Sequence, residues 1–173
     1  MHTIQYIAVQ ADSVDHAFRS VKDKLETELG DEYTNHAWYD WFVTGGGRWS
    51  TNDDPYNNNY TGDVVNQHSP KFQEYLDKAK EFRQESLDEY IAEARKIDID
   101  KIVSNIESST GDDFRSAMEL YSLYKVYDMS MGKWDYNSYY YDIQHESSSM
   151  TYLKNSLDNG AKDWYLVPVD FHF

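Results

Sequence analysis

The segment around Arg48 combines residue types that favour binding of a small anion. Three glycines precede Arg48, and Trp49 follows it. Glycine permits positive φ values and close approach of the backbone to a ligand, and a guanidinium pairs with phosphate or carboxylate. Indole rings can stack on a nucleobase. We therefore predict a binding site for a phosphorylated nucleotide, formed by Arg48, Trp49, Trp41, Trp38, Gly46, Gly47 and Tyr39.

A structural interpretation of the same segment stays open. The glycines can form a bulge or a turn, and Arg48 can make a cation–π contact that stabilises the end of the strand. The two interpretations differ in whether the guanidinium faces a cavity or is used within the fold.

Asp170 and His172 are the candidates for catalysis. They are two residues apart, so in a strand their side chains emerge on one face, where the carboxylate would orient the imidazole for acid–base work. The alternative is that both lie at a frayed terminus and have no catalytic role. No catalytic residue is assigned, and the sequence favours a binding protein over an enzyme.

The sequence predicts neither a metal site nor a cofactor. There is no cysteine, and the other histidines lack the spacing of metal ligands. Asp53, Asp54 and Asp63 lack the regular spacing of a calcium loop and are interpreted as part of a solvated loop. The chain contains no P-loop, dinucleotide-binding fingerprint or nucleophile elbow.

The elements that position these residues begin with a strand, a helix and a strand. Residues 3–10 are rich in β-formers, and residues 14–29 have apolar positions at helical spacing. Residues 37–44 form an aromatic strand that ends at the glycines. The C-terminal residues 163–173 alternate in hydropathy and predict another strand, in which Pro168 favours an edge position or a bulge.

Helices predominate in the middle of the chain. Residues 50–68 predict a long polar loop that is functional, disordered or contains a short hairpin. Ser69 and Pro70 predict the start of a helix that runs to about residue 96. Shorter helices are predicted over 99–106, 112–126 and 147–157, and an aromatic strand over 134–143.

This order of elements predicts one α+β domain over residues 1–173, with residues 69–127 as a helical insertion. We expect helices packed on one face of a mainly antiparallel sheet. A ferredoxin-like βαβ–βαβ plan fits the order best.

The charge of the chain narrows the range of partners. The 173 residues include 31 acidic and 16 basic side chains, for a formal net charge of −15, which disfavours direct binding to nucleic acid or to a membrane surface. A small anion remains compatible, because one arginine with oriented backbone N–H groups can dominate a local pocket. Without an apolar run of roughly 20 residues or a signal-peptide pattern, we expect a soluble cytoplasmic protein. The high aromatic content suggests a homodimer.

Two short stretches carry a resemblance to known sequences. Residues 46–49 read Gly-Gly-Arg-Trp and follow Trp38 and Trp41, and residues 169–172 read Val-Asp-Phe-His. This pattern resembles a loose group of uncharacterised small bacterial and phage proteins, with a Trp-rich strand ending in Gly-Gly-Arg-Trp and a last strand of the form Val-Asp-x-His. The resemblance implies no activity. A phage origin would place the protein in the host cell cytoplasm.

Three functions follow from these observations. The leading hypothesis is a phage-type counter-defence protein, or sponge, that captures a phosphorylated nucleotide signal in a Trp/Tyr/Arg pocket. The second is an acidic inhibitor that binds a host defence protein or a DNA-binding protein, by DNA mimicry or by blocking an active site. The third is a phosphodiesterase that uses His172, Asp170 and Arg48.

Overall fold

The computed structural model describes residues 1–30, 37–108, 118, 120–157 and 162–173. The strands are β1 (His2–Ala11), β2 (Trp41–Thr44), β3 (Val65–Asn66), β4 (Tyr140–Asp142) and β5 (Asp163–His172). The helices of the described residues are α1 (Val14–Gly30), α2 (Pro70–Ala94), α3 (Ile99–Ser108), α4 (Tyr121–Met131) and α5 (Thr151–Ser156). None of these helices has the length and apolar character needed to cross a membrane.

The two longest strands, β1 and β5, form the centre of the sheet as an antiparallel pair. Both β2 and β3 pair antiparallel with the other edge of β5, whereas β4 pairs parallel with β1. The resulting strand order is β2-β5-β1-β4, with β3 beside β5. The prediction of an α+β fold with a mainly antiparallel sheet is confirmed.

The ferredoxin-like plan is not confirmed. Its first half is recognisable, because β1, α1 and β2 form a split unit in which antiparallel β5 lies between two parallel strands. The second half differs, because the edge strand β4 precedes the central strand β5 in the chain and runs parallel to β1. A ferredoxin-like sheet is antiparallel throughout.

Helices cover both faces of the sheet, so the prediction that they pack on one face is wrong. Alternate residues of β1 and β5 belong to two separate hydrophobic clusters. The cluster on the α1 side includes Ile7, Val9, Val167, Val169, Phe18 and Leu25, and the cluster on the α2 side includes Tyr6, Ala8, Leu166, Phe72 and Leu76. Because apolar residues occupy both sets of alternate positions, each face needs its own helix to exclude water.

Pro168 lies in the central strand β5, so the prediction of an edge strand or a bulge is wrong. A proline lacks the N–H that a central strand normally donates. Here β3 pairs with β5 up to Leu166 and β2 begins to pair at Val169, so Pro168 faces the gap between them. Its carbonyl accepts a hydrogen bond from Gly45 at 2.8 Å on the same side. The gap removes the need for a donor at this position.

The polar loop over residues 50–68 is tied to the fold by its own side chains. Asp63 is buried and accepts hydrogen bonds from the backbone N and the hydroxyl of Thr51, at 2.6 and 2.9 Å. Asn58 accepts a 2.7 Å hydrogen bond from the backbone N of Thr44. The loop also contains β3, which joins the sheet. Asp63 is therefore a structural acceptor and not a solvated side chain.

The helix boundaries follow the sequence signals where those signals were strong. Ser69 accepts a hydrogen bond from Lys71 N and caps α2, with Pro70 in the first turn, as predicted. The helix predicted over 112–126 lies partly outside the described residues, and α4 ends later, at Met131, followed by Gly132 with φ of 70°. The strand predicted over 134–143 and the helix predicted over 147–157 are shorter, as β4 and α5.

Candidate functional site

The glycine bend after β2 is required by backbone contacts. Gly45, Gly46 and Gly47 have φ values of 97°, 98° and 49°. A Cβ on Gly45 would lie 2.1 Å from the carbonyl oxygen of Tyr60, and a Cβ on Gly47 would lie 2.4 Å from the Cβ of Asp170. The structure therefore fills the space beside Gly47 with a protein side chain, and both residues act in the fold as the structural interpretation expected.

Asp170 organises the end of the sheet next to this bend. Its side chain is 1% exposed. One carboxylate oxygen lies 2.8 Å from Nδ1 of His2, and the other accepts a hydrogen bond from the backbone N of Arg48 at 3.2 Å. The sequence paired Asp170 with His172, but in the β1–β5 register Ile4 is opposite Asp170 and His2 is opposite His172. Asp170 therefore pairs diagonally with His2.

His172 has a different carboxylate partner. Its Nδ1 lies 2.6 Å from Oδ1 of Asp40. This hydrogen bond is the main reason that the pKa of Asp40 is lowered from its ordinary value. The ring also stacks on Trp41, with centroids 5.1 Å apart and an interplanar angle of 12°. His172 is thus held by a carboxylate at its edge and by an indole on its face.

His2 and His172 face each other across β1 and β5, and we call them the imidazole pair. Their ring centroids are 4.9 Å apart, and their side chains are 14% and 32% exposed. Each Nδ1 contacts a carboxylate, which can only accept a hydrogen bond, so each Nδ1 carries the proton. In the described part of the chain, neither Nε2 has a hydrogen-bond partner. Both Nε2 atoms therefore keep a hydrogen-bonding capacity that no described residue uses.

Arg48 and Trp49 extend this surface. The side chain of Arg48 is exposed and forms no ion pair, hydrogen bond or ring contact with any described residue. Trp49 is 48% exposed and lines a cavity of about 310 Å³ whose floor includes Ile4 and Pro168. Along each strand, the next residue on the same face is about 7 Å away, which places His2 one step beyond Ile4 and His172 two steps beyond Pro168.

The two remaining predicted residues lie elsewhere. Trp38 packs against Phe171, and Tyr39 is buried with its hydroxyl 3.0 Å from Oε2 of Glu28. Both belong to the α1 side of the sheet. They border a second cavity of about 670 Å³, which we call the aromatic cleft, with Trp134, Tyr136, Phe173, Tyr121, Tyr124, Lys125 and Asp135 among its lining residues. The structure thus divides the predicted site between two faces.

A buried ion pair is part of the lining of the aromatic cleft. Lys125 and Asp135 are both buried and contact each other through Nζ and Oδ2. The ammonium of Lys125 also lies 4.3 Å from the centroid of the Tyr136 ring. Asp135 accepts a further hydrogen bond from the backbone N of Asn137 at 2.8 Å. Both charged groups are therefore satisfied within the protein.

Sequence reasoning missed His2, Lys125 and Asp135. The signal for His2 is its position in a first strand that pairs with the last strand, since this pairing sets His2 opposite His172. Lys125 and Asp135 give no such signal, because charged residues in a predicted helix and in a loop are usually solvated. Among the described residues, no group of three or more acidic or histidine side chains is placed to hold a metal ion.

The comparisons with known proteins add no assignment. The chain matches no family model, no curated protein and no solved structure.

Proposed function

We propose that the protein binds a small phosphorylated nucleotide at the imidazole pair, with the phosphate between the two Nε2 atoms and Arg48. The observation that carries this proposal is the arrangement of His2 and His172, each with Nδ1 on a carboxylate and Nε2 without a partner. An imidazole that is oriented in this way presents a fixed polar atom to a ligand. When protonated, each ring donates a charge-assisted hydrogen bond to phosphate.

The neighbouring side chains provide the other contacts that a nucleotide needs. The guanidinium of Arg48 is exposed and has no partner among the described residues. The backbone N of Arg48 donates a hydrogen bond to Asp170, which is also the partner of His2. Such a group can form two parallel hydrogen bonds with a phosphate. Trp49 presents an exposed indole at the adjoining cavity, where a base can stack.

The charge of the chain does not oppose this proposal locally. The two carboxylates in contact with the imidazole pair, Asp170 and Asp40, already have imidazole partners. Arg48 has no carboxylate partner among the described residues. A phosphate would therefore supply the missing counter-charge for Arg48.

Calorimetry with cyclic dinucleotides, cyclic oligonucleotides and ADP-ribose compounds tests the proposal. We expect one of these classes to bind, and Arg48→Ala and His172→Ala each to weaken binding by about tenfold or more, the loss typical of a charged hydrogen bond. Arg19→Ala is the matched control, since Arg19 is exposed on α1 on the opposite face. If no class binds, or if Arg48→Ala has no more effect than Arg19→Ala, the proposal is wrong. The counter-defence role holds only if the ligand is a signalling nucleotide.

A second candidate is cleavage of a phosphodiester, and the paired imidazoles favour it specifically. One Nε2 would take the proton from the attacking hydroxyl or water while the other gives a proton to the leaving oxygen, so the two rings exchange protonation states in each turnover. Hydrolysis of bis(p-nitrophenyl) phosphate and of 2′,3′-cyclic nucleotides measures this activity. We expect a bell-shaped pH profile that is lost in His2→Ala and in His172→Ala. Hydrolysis that is unchanged in both variants excludes this candidate.

A further inference from the structure

A separate cavity on the α2 side of the molecule has an unusual lining. It encloses about 370 Å³ between α2, the end of α4 and α5. Its lining includes the basic residues Lys80, Arg83 and Lys154, several hydroxyl side chains and no acidic residue. The chain has 31 acidic and 16 basic residues, so this local excess of positive charge is opposite in sign to the net charge of the chain. Such a cavity favours an anion.

Arg83 is the least exposed of the three basic residues that line this cavity. It is partly buried, and one of its amino groups donates a hydrogen bond to the carbonyl oxygen of Met129. Arg83 forms no ion pair with a carboxylate of the described residues. Burial lowers the pKa of its guanidinium, and the more distant charge of Asp135 only partly offsets this. A partly buried guanidinium without a counter-ion is costly unless an anion binds it.

Lys154 and Thr151 supply donors from α5. The ammonium of Lys154 is exposed and has no hydrogen bond or ion pair within the described part of the chain, although its charge acts on Asp77. Thr151 accepts a hydrogen bond from the hydroxyl of Ser149 at 3.1 Å, which leaves its own hydroxyl proton free to donate. Lys80 is exposed and pairs with Asp77 at 2.9 Å. Arg83, Lys154 and Thr151 are therefore the donors that an anion would meet first.

We propose that this cavity is a second ligand site, which binds a phosphate group through Arg83, Lys154 and Thr151. The site shares no residue with the imidazole pair or with the cavity beside Trp49. A phosphate presents several acceptor oxygens, which match a guanidinium, an ammonium and a hydroxyl donor together. The proposal does not depend on the function proposed for the imidazole pair.

The test is calorimetric titration with inorganic phosphate, at constant ionic strength, against a sodium chloride control. The protein carries Arg48→Ala and His172→Ala, so that phosphate cannot bind at the imidazole pair. We expect saturable binding that Arg83→Gln weakens at least tenfold and Lys154→Gln weakens several-fold, as loss of charged hydrogen bonds predicts. Lys96→Gln is the control for charge, because Lys96 lies just beyond the C-terminal end of α2 and, among the described residues, pairs only with Glu93.

Two results would overturn the proposal. One is a heat on titration with phosphate that is no larger than the heat on titration with sodium chloride. The other is binding that Lys154→Gln and Lys96→Gln reduce equally, which indicates attraction to net charge only. Lys154→Gln decides the outcome if Arg83→Gln does not fold, because the Lys154 side chain is exposed and its loss removes no hydrogen bond or ion pair to a described residue.

Discussion

The two faces of the sheet differ most where the start of β1 meets the end of β5. On the α2 side, His2 is hydrogen-bonded to Asp170 and His172 to Asp40, and both imidazoles stay partly open to solvent. On the α1 side, Phe171 packs beneath Trp38, and Gln5 accepts a 2.7 Å hydrogen bond from the indole of Trp134. The period of two residues in a strand separates the two sets.

Each face contains a buried carboxylate, and the partners of the two carboxylates explain the difference. Asp135 is neutralised by the ammonium of Lys125, which is itself buried against an aromatic ring. Asp170 is held by an imidazole and by a backbone N–H. An imidazole keeps a second ring nitrogen for a ligand, whereas a lysine in a buried ion pair does not. A buried carboxylate therefore marks a candidate site only when its partner has a second polar atom that can contact a ligand.

The largest effect is expected from Gly45→Ala, at the bend that positions Arg48. The new Cβ would meet the Tyr60 carbonyl at 2.1 Å and impose an unfavourable φ of 97°. We expect a loss of roughly 4 kcal/mol in the free energy of unfolding, measured by urea denaturation. Gly46→Ala is the matched control, with a similar φ but no contact closer than 3.4 Å, and should cost about 1–2 kcal/mol. Equal losses would show that the backbone contact is unimportant.

Lys125→Met tests the buried ion pair on the α1 side of the sheet. It leaves the carboxylate of Asp135 buried without its counter-ion, so we expect a loss of about 3–5 kcal/mol in unfolding free energy. Adding Asp135→Asn removes the unpaired charge and should recover part of the loss, because an amide oxygen can still accept the hydrogen bond from Asn137. A single variant that is as stable as the native protein would contradict the assignment of a buried ion pair.

Ionisation of Tyr6 tests how strongly α2 excludes solvent from the face of the sheet that carries the imidazole pair. Burial, with a smaller contribution from Glu74, raises the pKa of Tyr6 to about 12. The folded state then holds this proton more tightly than the unfolded chain, so the contribution is complete below about pH 10 and is lost as the pH rises towards 12. We expect Tyr6 to contribute roughly 2 kcal/mol to the decrease in unfolding free energy over this interval, in addition to the contributions of other tyrosines whose pKa burial raises, such as Tyr75. Urea denaturation from pH 9 to pH 12 measures it, and Tyr6→Phe should make the decrease smaller.

His2→Phe has the smallest expected effect and tests the hydrogen bond between His2 and Asp170 on the α2 side directly. It keeps a ring beside Trp41 and removes the donor to Asp170, which retains the backbone N–H of Arg48. We expect a loss of about 1–2 kcal/mol in unfolding free energy, less than for Lys125→Met, because the ammonium of Lys125 is a buried counter-charge whereas the imidazole of His2 is partly exposed. Asp170→Asn added to His2→Phe should recover part of it. A loss larger than that of Lys125→Met would reverse the comparison between the two faces.

Much of the local structure could be predicted from the sequence. Periodicity placed β1, α1 and β5 closely, and Ser69 with Pro70 marked the start of α2, because these signals act between residues near in sequence. The positive φ values at the three glycines followed from the same local reasoning. The pairing of the strands could not be predicted, because no local pattern indicates which strands are neighbours in the sheet.

Only the tertiary structure decided the composition of the candidate site. The alternation of β5 already set Asp170 and His172 on one face, but the register with β1 brought His2 to both of them, and the pairing of β5 with β2 brought Asp40 to His172. The same pairing left a gap for Pro168 in a central strand and moved Trp38 and Tyr39 to the opposite face from Arg48. The physical reason is that periodicity acts over a few residues, whereas contacts between residues 2 and 170 depend on how the whole chain packs.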